Sequence, residues 1–292
     1  MTQIITSLSQ IQDDYDALFC DLWGCVHDGV RALPAAVAAL QAFRAAGGTV
    51  VLLTNAPRPR ASVAEQIAGM GVPDDAWDTI ATSGDAARSA MFSGAVGSKV
   101  YFIGEGRDHP FFEPLNIVSD PVDISMVPMD QADGVVVTGP FDPNQPPDVL
   151  RPQLLEAKTR GLKMLNANPD IVVDRGDHRE YCGGAVAQLY EQMGGTVLSF
   201  GKPHPPVYDL ARRRLAELGD GVPDERILAV GDGIATDVKG ALLEELDVLF
   251  VSGGLAAAET ETETKTDPDP AKLESYLNEH QMNPPYTIGY LR

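Results

Sequence analysis

The sequence predicts an α/β fold, a parallel sheet flanked by helices and interrupted by a second α/β unit. Three observations lead there. Short apolar runs, strand-sized, alternate with amphipathic stretches along the chain. The runs are apolar throughout rather than at every second position, as strands covered on both faces are. The 292 residues, 44% of them apolar, suffice for roughly two cores at about 150 residues each.

The elements follow in order. Ala17–Cys20 (ALFC) reads as a buried strand. Leu33–Ala46 places Ala, Val, Leu and Phe at helical spacing, with Pro34 in its first turn and Gly47-Gly48 closing it. Thr49–Leu53 is a strand and Ala61–Met70 a helix ended by Gly71 and Pro73. A second set comprises strands at Lys99–Ile103, Gly134–Thr138 and Lys163–Asn166, with helices at Val149–Thr159 and Gly183–Met193. Glu105 to Asp133, rich in Pro, Asp and Phe, receives no assignment. Then come a helix at Pro206–Leu218, a strand at Arg226–Val230, a helix at Thr236–Glu245 and a strand at Asp247–Val251. The acidic, low-complexity stretch Glu259–Pro270 reads as a solvated loop or linker, and the final NPPYTIGYLR as an element packed on the core.

Composition excludes several functions. With 22 Lys+Arg against 42 Asp+Glu the formal net charge is −20, which argues against nucleic acid and anionic membranes as partners. A small phosphorylated substrate stays compatible if a metal or a few cations sit at the site. No apolar run approaches the ~18 residues of a membrane span, and the first residues show no secretion signal. Cys20, Cys25 and Cys182 are scattered, neither a disulfide framework nor a zinc pattern, and suit a reducing cytoplasm.

Four segments each end a strand, so a parallel sheet gathers them at its carboxyl edge, where ligands bind. They are Asp21-Leu22-Trp23-Gly24, Thr54-Asn55, Lys202 in GKP, and Gly231-Asp232-Gly233 with Asp237 just beyond. Taken singly, each has a plain structural reading: a turn former, a strand-end turn, a surface lysine, a helix-start charge. Together they offer a carboxylate nucleophile, carboxylates for a divalent cation, and a hydroxyl, an amide and a lysine for an oxyanion. That set can transfer a phosphoryl group.

As an ordered set the motifs resemble the haloacid dehalogenase superfamily, specifically its NagD-like class IIA branch. LLTNAPRP is close to the branch's second motif, GKPHPPVYDLA to its third and GDGIATDVKGA to its fourth. The resemblance implies a Rossmann-like core from residues 1–81 and 196–292, and an α/β cap inserted at 82–195. It implies Asp21 as the nucleophile that becomes an aspartyl-phosphate. Mg2+ would be held by Asp21, the Trp23 backbone carbonyl, Asp232 and Asp237. Thr54, Asn55 and Lys202 would bind the phosphoryl group, with Lys202 also pairing with Asp21. Asn168, Asp170, Cys182 and Gly183, in a segment similar to the cap's substrate-facing region, are candidate specificity contacts. The implied partner is a small phosphorylated metabolite such as a sugar phosphate or nucleotide. Related capped enzymes often pair through the cap, so a homodimer is also carried as an expectation.

One position departs from the pattern. Most phosphatases of the superfamily carry a second Asp two residues after the nucleophile, as general acid and then base; here it is Trp23, which exchanges no protons near neutral pH. Such assistance is worth about 10²–10⁴-fold. Three readings follow: a surrogate such as His27 or Asp28, a slow phosphatase, or a metal-independent 2-haloacid-type dehalogenase, whose relatives carry an aromatic residue at this position. The close pair Asp232 and Asp237 favours a bound cation and hence the phosphatase. From a different class, the chain could bind a phosphometabolite without turning it over.

Overall fold

Ala17–Cys20 is a central, interior strand of a seven-stranded sheet, fifth in its order, in the computed structural model, which describes residues 2–114, 120–219 and 221–292. Across this sheet the order is Gln3–Ile4, Tyr286–Ile288, Asp247–Val251, Ile227–Gly231, Ala17–Cys20, Thr49–Thr54 and Thr79–Thr82, and every pairing is parallel. Alternate residues of the central strand serve two cores. Leu18 and Cys20 pack with Leu40 and Phe43 of the helix Pro34–Ala45 and with Val63 and Ile67 of Arg60–Gly69. Ala17 and Phe19 pack with Val207, Tyr208 and Ala211 of Pro205–Ala216 and with Leu273 and Leu277 of Pro270–His280. Helices thus cover both faces, which is why the strand has no polar side. Each large side chain so buried contributes about 1.5–3 kcal/mol.

The central strand has a neighbour on each side that lies far off in sequence on one side and near on the other. Cys20 is in register with Leu52 and with Val230. The chain therefore leaves these strands in opposite directions at one place, opening a crevice beyond their carboxyl ends. Asp21, Thr54 and Asp232 emerge there.

A second, all-parallel sheet runs Thr196–Ser199, Lys163–Asn166, Gly134–Val137, Lys99–Ile103, Ser125–Met126. Helices Ser83–Phe92, Arg151–Thr159 and Gly183–Gln192 cover it. Thr196–Ser199 pairs with Lys163–Asn166, so the second sheet extends four residues past the expected change at 195/196. Thr196–Ser199 carries no wholly apolar run, since it sits at an edge and stays half-exposed. Thr79–Thr82 likewise escaped assignment, yet it closes the first sheet. An antiparallel hairpin, Val172–Arg175 with His178–Tyr181, projects from the second unit.

Two local expectations change and a third is made specific. The helix expected at Thr236–Glu245 begins as a π-helical turn, Ile234–Val238, before Lys239–Leu243. The acidic stretch Glu259–Pro270 contains a short helix, Thr262–Lys265, and is anchored rather than free. The hydroxyls of Ser252, Thr260 and Thr262 are buried and bonded to one another at 2.7–2.8 Å. NPPYTIGYLR supplies a strand, Tyr286–Ile288, flanked by Asp247–Val251 and Gln3–Ile4. Residues 115–119, within the unassigned stretch 105–133, lie outside the described residues. Among the described residues no helix is long and apolar enough to cross a membrane.

Candidate active site

Lys202 sits at the centre of the crevice, 2% exposed, with its ammonium fully engaged. Nζ donates to Asp21 Oδ1 at 2.6 Å, Asp237 Oδ1 at 2.7 Å and the Leu53 carbonyl at 3.0 Å. An ammonium has three hydrogens, and all three are used. The flanking carboxylates hold it in its charged form against the burial that would neutralise it. Asn55 fixes the lysine's backbone: its Oδ1 accepts the Lys202 N–H at 2.7 Å and its Nδ2 donates to the Lys202 carbonyl at 3.2 Å. Lys202→Met is expected to cost about 3–5 kcal/mol in urea unfolding, since it strands buried carboxylates. A loss under about 1 kcal/mol would show that the cluster does not depend on this charge.

Three buried carboxylates face that one ammonium. Burial pushes the Asp21 carboxyl up to about 7, with Lys202 pulling it down and Asp237 adding to the rise. Burial, then Asp21 and Asp237, raise Asp232 well above the carboxylate range; the Leu255 N–H, donated to its Oδ2 at 2.9 Å, opposes this. Glycine makes the approach to Asp232 possible. A Cβ on Gly24, which has φ +71°, would stand 2.1 Å from Asp232 Oδ2, and one on Gly254 only 1.9 Å from it. Asp21, Asp232 and Cys25 place one ligand atom each within 4.8 Å of one another. The excess of buried negative charge and the hard oxygens of Asp21 and Asp232 fit a divalent cation such as Mg2+. Burial raises the Cys25 thiol, which keeps its proton and adds no charge.

The other expected residues surround this cluster. Asp237, expected on the metal, accepts from Lys202 Nζ through Oδ1 at 2.7 Å, and from the Gly233 N–H at 3.1 Å and the Thr236 hydroxyl at 3.3 Å through Oδ2. It anchors the lysine. Asn55, expected on the phosphate, spends its amide on Lys202 and on Asp170 Oδ1 at 2.8 Å. The Thr54 hydroxyl accepts the Ala56 N–H at 3.2 Å and keeps its own proton to donate. Trp23 is half-buried, edge-on to His27 at 5.1 Å and under the Arg175 guanidinium at 5.2 Å.

His27 does not suit the role of acid. It is 1% exposed, its Nδ1 accepts the Gly29 N–H at 3.1 Å, and burial lowers it to about 4. Near neutral pH it is an uncharged, hydrogen-bonded ring. Asp28 is tied up as a turn residue, accepting from the Val30 and Arg31 N–H groups at 2.9 and 2.8 Å.

Asn168, Asp170, Cys182 and Gly183 come together against the core. The Asn168 side chain accepts the Asp170 N–H at 3.2 Å, shaping the turn that aims Asp170 at Asn55. Gly183 is forced to be small, since a Cβ there would meet the Asn168 carbonyl at 2.9 Å. Burial raises the Cys182 thiol, and its N–H donates to the Ile171 carbonyl at 2.9 Å. The hairpin then docks on the loop after Asp21: Gly176 N–H donates to the Asp28 carbonyl at 2.8 Å, beside the Arg175–Trp23 contact. Arg58, Arg107 and Arg175, which line the cleft beside Asn55, were not singled out from sequence.

Comparison with known proteins decides the family. A family model described as haloacid dehalogenase-like hydrolase matches residues 18–117, and a second hydrolase model of the same group matches 199–277. A solved haloacid dehalogenase-like hydrolase from Brucella suis is 39% identical, covering 99% of this chain and 100% of that one, with a TM-score of 0.85. The chain belongs to the haloacid dehalogenase-like hydrolases. Human glycerol-3-phosphate phosphatase is 26% identical over 246 residues, 77% of this chain and 75% of that protein. The structure of a Mycobacterium tuberculosis glycerol phosphate phosphatase in complex with calcium is 25% identical, covering 88% of this chain and 71% of that one, with a TM-score of 0.61. The two matched segments of this haloacid dehalogenase-like hydrolase carry Asp21 and Thr54 in one, and Lys202, Asp232 and Asp237 in the other.

Proposed function

We propose that the protein is a divalent-cation-dependent phosphatase of small organophosphates, acting through an aspartyl-phosphate on Asp21. The observation that carries this reading is the Lys202 ammonium held between Asp21 and Asp237 beside Asp232. The named activities of the human and mycobacterial relatives point the same way. The first sheet is the catalytic core in this reading. The unit between about 83 and 199 is a cap that closes the site against bulk water.

Mg2+, held by Asp21, Asp232 and the Trp23 carbonyl, would offset phosphate charge and polarise the phosphoryl group. The rest falls to the chain. A carboxylate oxygen of Asp21 attacks phosphorus, an O–P bond forms, and the bond to the leaving oxygen breaks. Lys202 lets the anionic nucleophile approach an anionic substrate, and the Thr54 hydroxyl donates to the transferring oxygens. Asp237 and Asn55 position Lys202. Water then attacks the aspartyl-phosphate and frees inorganic phosphate.

The leaving oxygen needs a proton that Trp23 cannot give. In this reading Asp170 gives it. It lines the same cleft as Asp21 and Trp23, and burial raises its carboxyl to about 6, against the pull of Lys202. A pKa near the working pH suits a group that donates to the leaving oxygen and then takes a proton from water. Its Oδ1 is held by Asn55, and its backbone carbonyl by the Gly184 N–H at 2.9 Å.

The test is turnover of p-nitrophenyl phosphate and of alkyl phosphates, with Mg2+ and with chelator. Metal-dependent cleavage of both classes is expected. Cleavage of the aryl ester alone would remove Asp170 as proton donor. No cleavage of any phosphate, with release of halide from 2-haloacids in chelator, would replace the phosphatase by a dehalogenase.

A further inference from the structure

Beside Asn55 lies a second cleft lined by Trp23, Asn55, Arg58, Arg107, Asp170 and Arg175, among others. Trp23, Asp170 and Val173 also line the cleft of Asp21 and Asp232, so the two spaces meet at those side chains. A substrate with its phosphoryl group at Asp21 has this second cleft open to its other end.

Charge is distributed unevenly there. The chain carries only 22 Lys+Arg against 42 Asp+Glu, yet three guanidinium groups converge on this cleft. Its carboxylates are already engaged. Glu105 pairs with Arg107, and Glu180 accepts from Arg175 Nε at 2.9 Å. Asp108 accepts the Thr138 hydroxyl at 2.8 Å, and Asp170 accepts from Asn55. Arg58 is the exception. Among the described residues no carboxylate lies within 4.0 Å of its guanidinium, whose hydrogen-bond partner is the neutral Gln66 side-chain carbonyl. Its backbone is fixed, because Gly84 packs so closely that a Cβ there would stand 2.4 Å from the Arg58 nitrogen. Burial disfavours its charge, Asp108 and Glu105 partly offsetting this from a distance and Arg107 and Arg175 adding repulsion.

We propose that this cleft binds a second anionic group on the substrate's leaving portion, a carboxylate or a further phosphate, with Arg58 as its principal partner. A half-buried cation with no carboxylate in contact is costly, and a ligand anion lowers that cost. The planar guanidinium offers two parallel N–H donors to either kind of oxyanion. Arg107 and Arg175, already neutralised, add field and shape. The inference rests on the phosphatase reading for where the phosphoryl group sits. It adds the substrate class: phosphomonoesters whose alcohol carries a negative charge a few bonds away.

Matched substrates test it. 3-Phosphoglycerate differs from glycerol 3-phosphate by a carboxylate in place of a hydroxymethyl group, and glycerol 1,3-bisphosphate supplies a second phosphate instead. The Mg2+-loaded wild type is expected to favour at least one of the two charged esters over glycerol 3-phosphate by about tenfold or more in kcat/KM. Arg58→Gln should cut that preference ratio about 10–100-fold, chiefly through KM, as loss of charge-assisted hydrogen bonds does. Arg58→Lys should recover part of it. Which ester responds tells a carboxylate subsite from a phosphate one. An equal fall for all three esters would make Arg58 merely structural and overturn the proposal, as would a wild type that prefers glycerol 3-phosphate. Turnover of p-nitrophenyl phosphate reports separately on the phosphatase reading. If it is absent, calorimetric binding of the three esters to the Mg2+-loaded protein decides: equal affinities overturn the subsite, and an Arg58-dependent preference supports it.

Discussion

Asp21→Asn is expected to lower turnover of every phosphomonoester by about 10⁴-fold or more, the scale of losing a covalent nucleophile. The amide keeps an oxygen for Lys202, whose bond to Asp21 Oδ1 is 2.6 Å long, so the fold should persist and circular dichroism should be unchanged. What disappears is the carboxylate that forms the O–P bond. Acid quenching of the wild type with a phosphorus-labelled substrate should trap label on protein, and the variant should trap none. Substantial activity or labelling in Asp21→Asn would move the nucleophile elsewhere.

Asp170→Asn should separate substrates by leaving group. Alkyl phosphates are expected to fall about 10²–10⁴-fold in kcat, the usual contribution of general acid–base assistance. p-Nitrophenyl phosphate, whose leaving group departs without a proton, should lose far less. The contrast matters because Asp170 also accepts a 2.8 Å hydrogen bond from Asn55, which in turn holds Lys202. If Asp170 served only to orient that chain of contacts, both substrate classes would fall together. A uniform loss would make it a positioning residue and leave the proton unexplained.

Much of this site was legible in the sequence, for a local reason. Asp21, Thr54 and Asp232 each follow an apolar run directly, and a parallel sheet delivers the residues after its strands to one edge. What the sequence leaves open depends on what approaches from far along the chain. Asp237 and Asn55 carry suitable groups, but whether those groups stay free is decided by Lys202, 35 and 147 residues away. Arg58 stands four residues after Thr54, yet its significance lies in lacking a carboxylate that other arginines of the cleft have found. Asp170 was visible as a cap contact; its raised carboxyl comes from burial against the core, which no local pattern encodes. The edge strands Thr79–Thr82 and Thr196–Ser199 failed for a related reason, being short and, in the second case, only half-covered.

The central strand's two neighbours set an order of events during synthesis. Ala17–Cys20 meets Thr49–Thr54 soon after both leave the ribosome, but its other partner, Ile227–Gly231, emerges some two hundred residues later. Among the described residues, strands from Lys99 to Ser199 pair only among themselves, so that unit can close while the first sheet still waits for its second half. Until then the apolar flank of ALFC stays uncovered, a surface on which chaperones or other nascent chains can settle. Slow translation of the last hundred residues would lengthen that exposure, and truncation before Ile227 would leave a finished second unit beside an unfinished half-sheet.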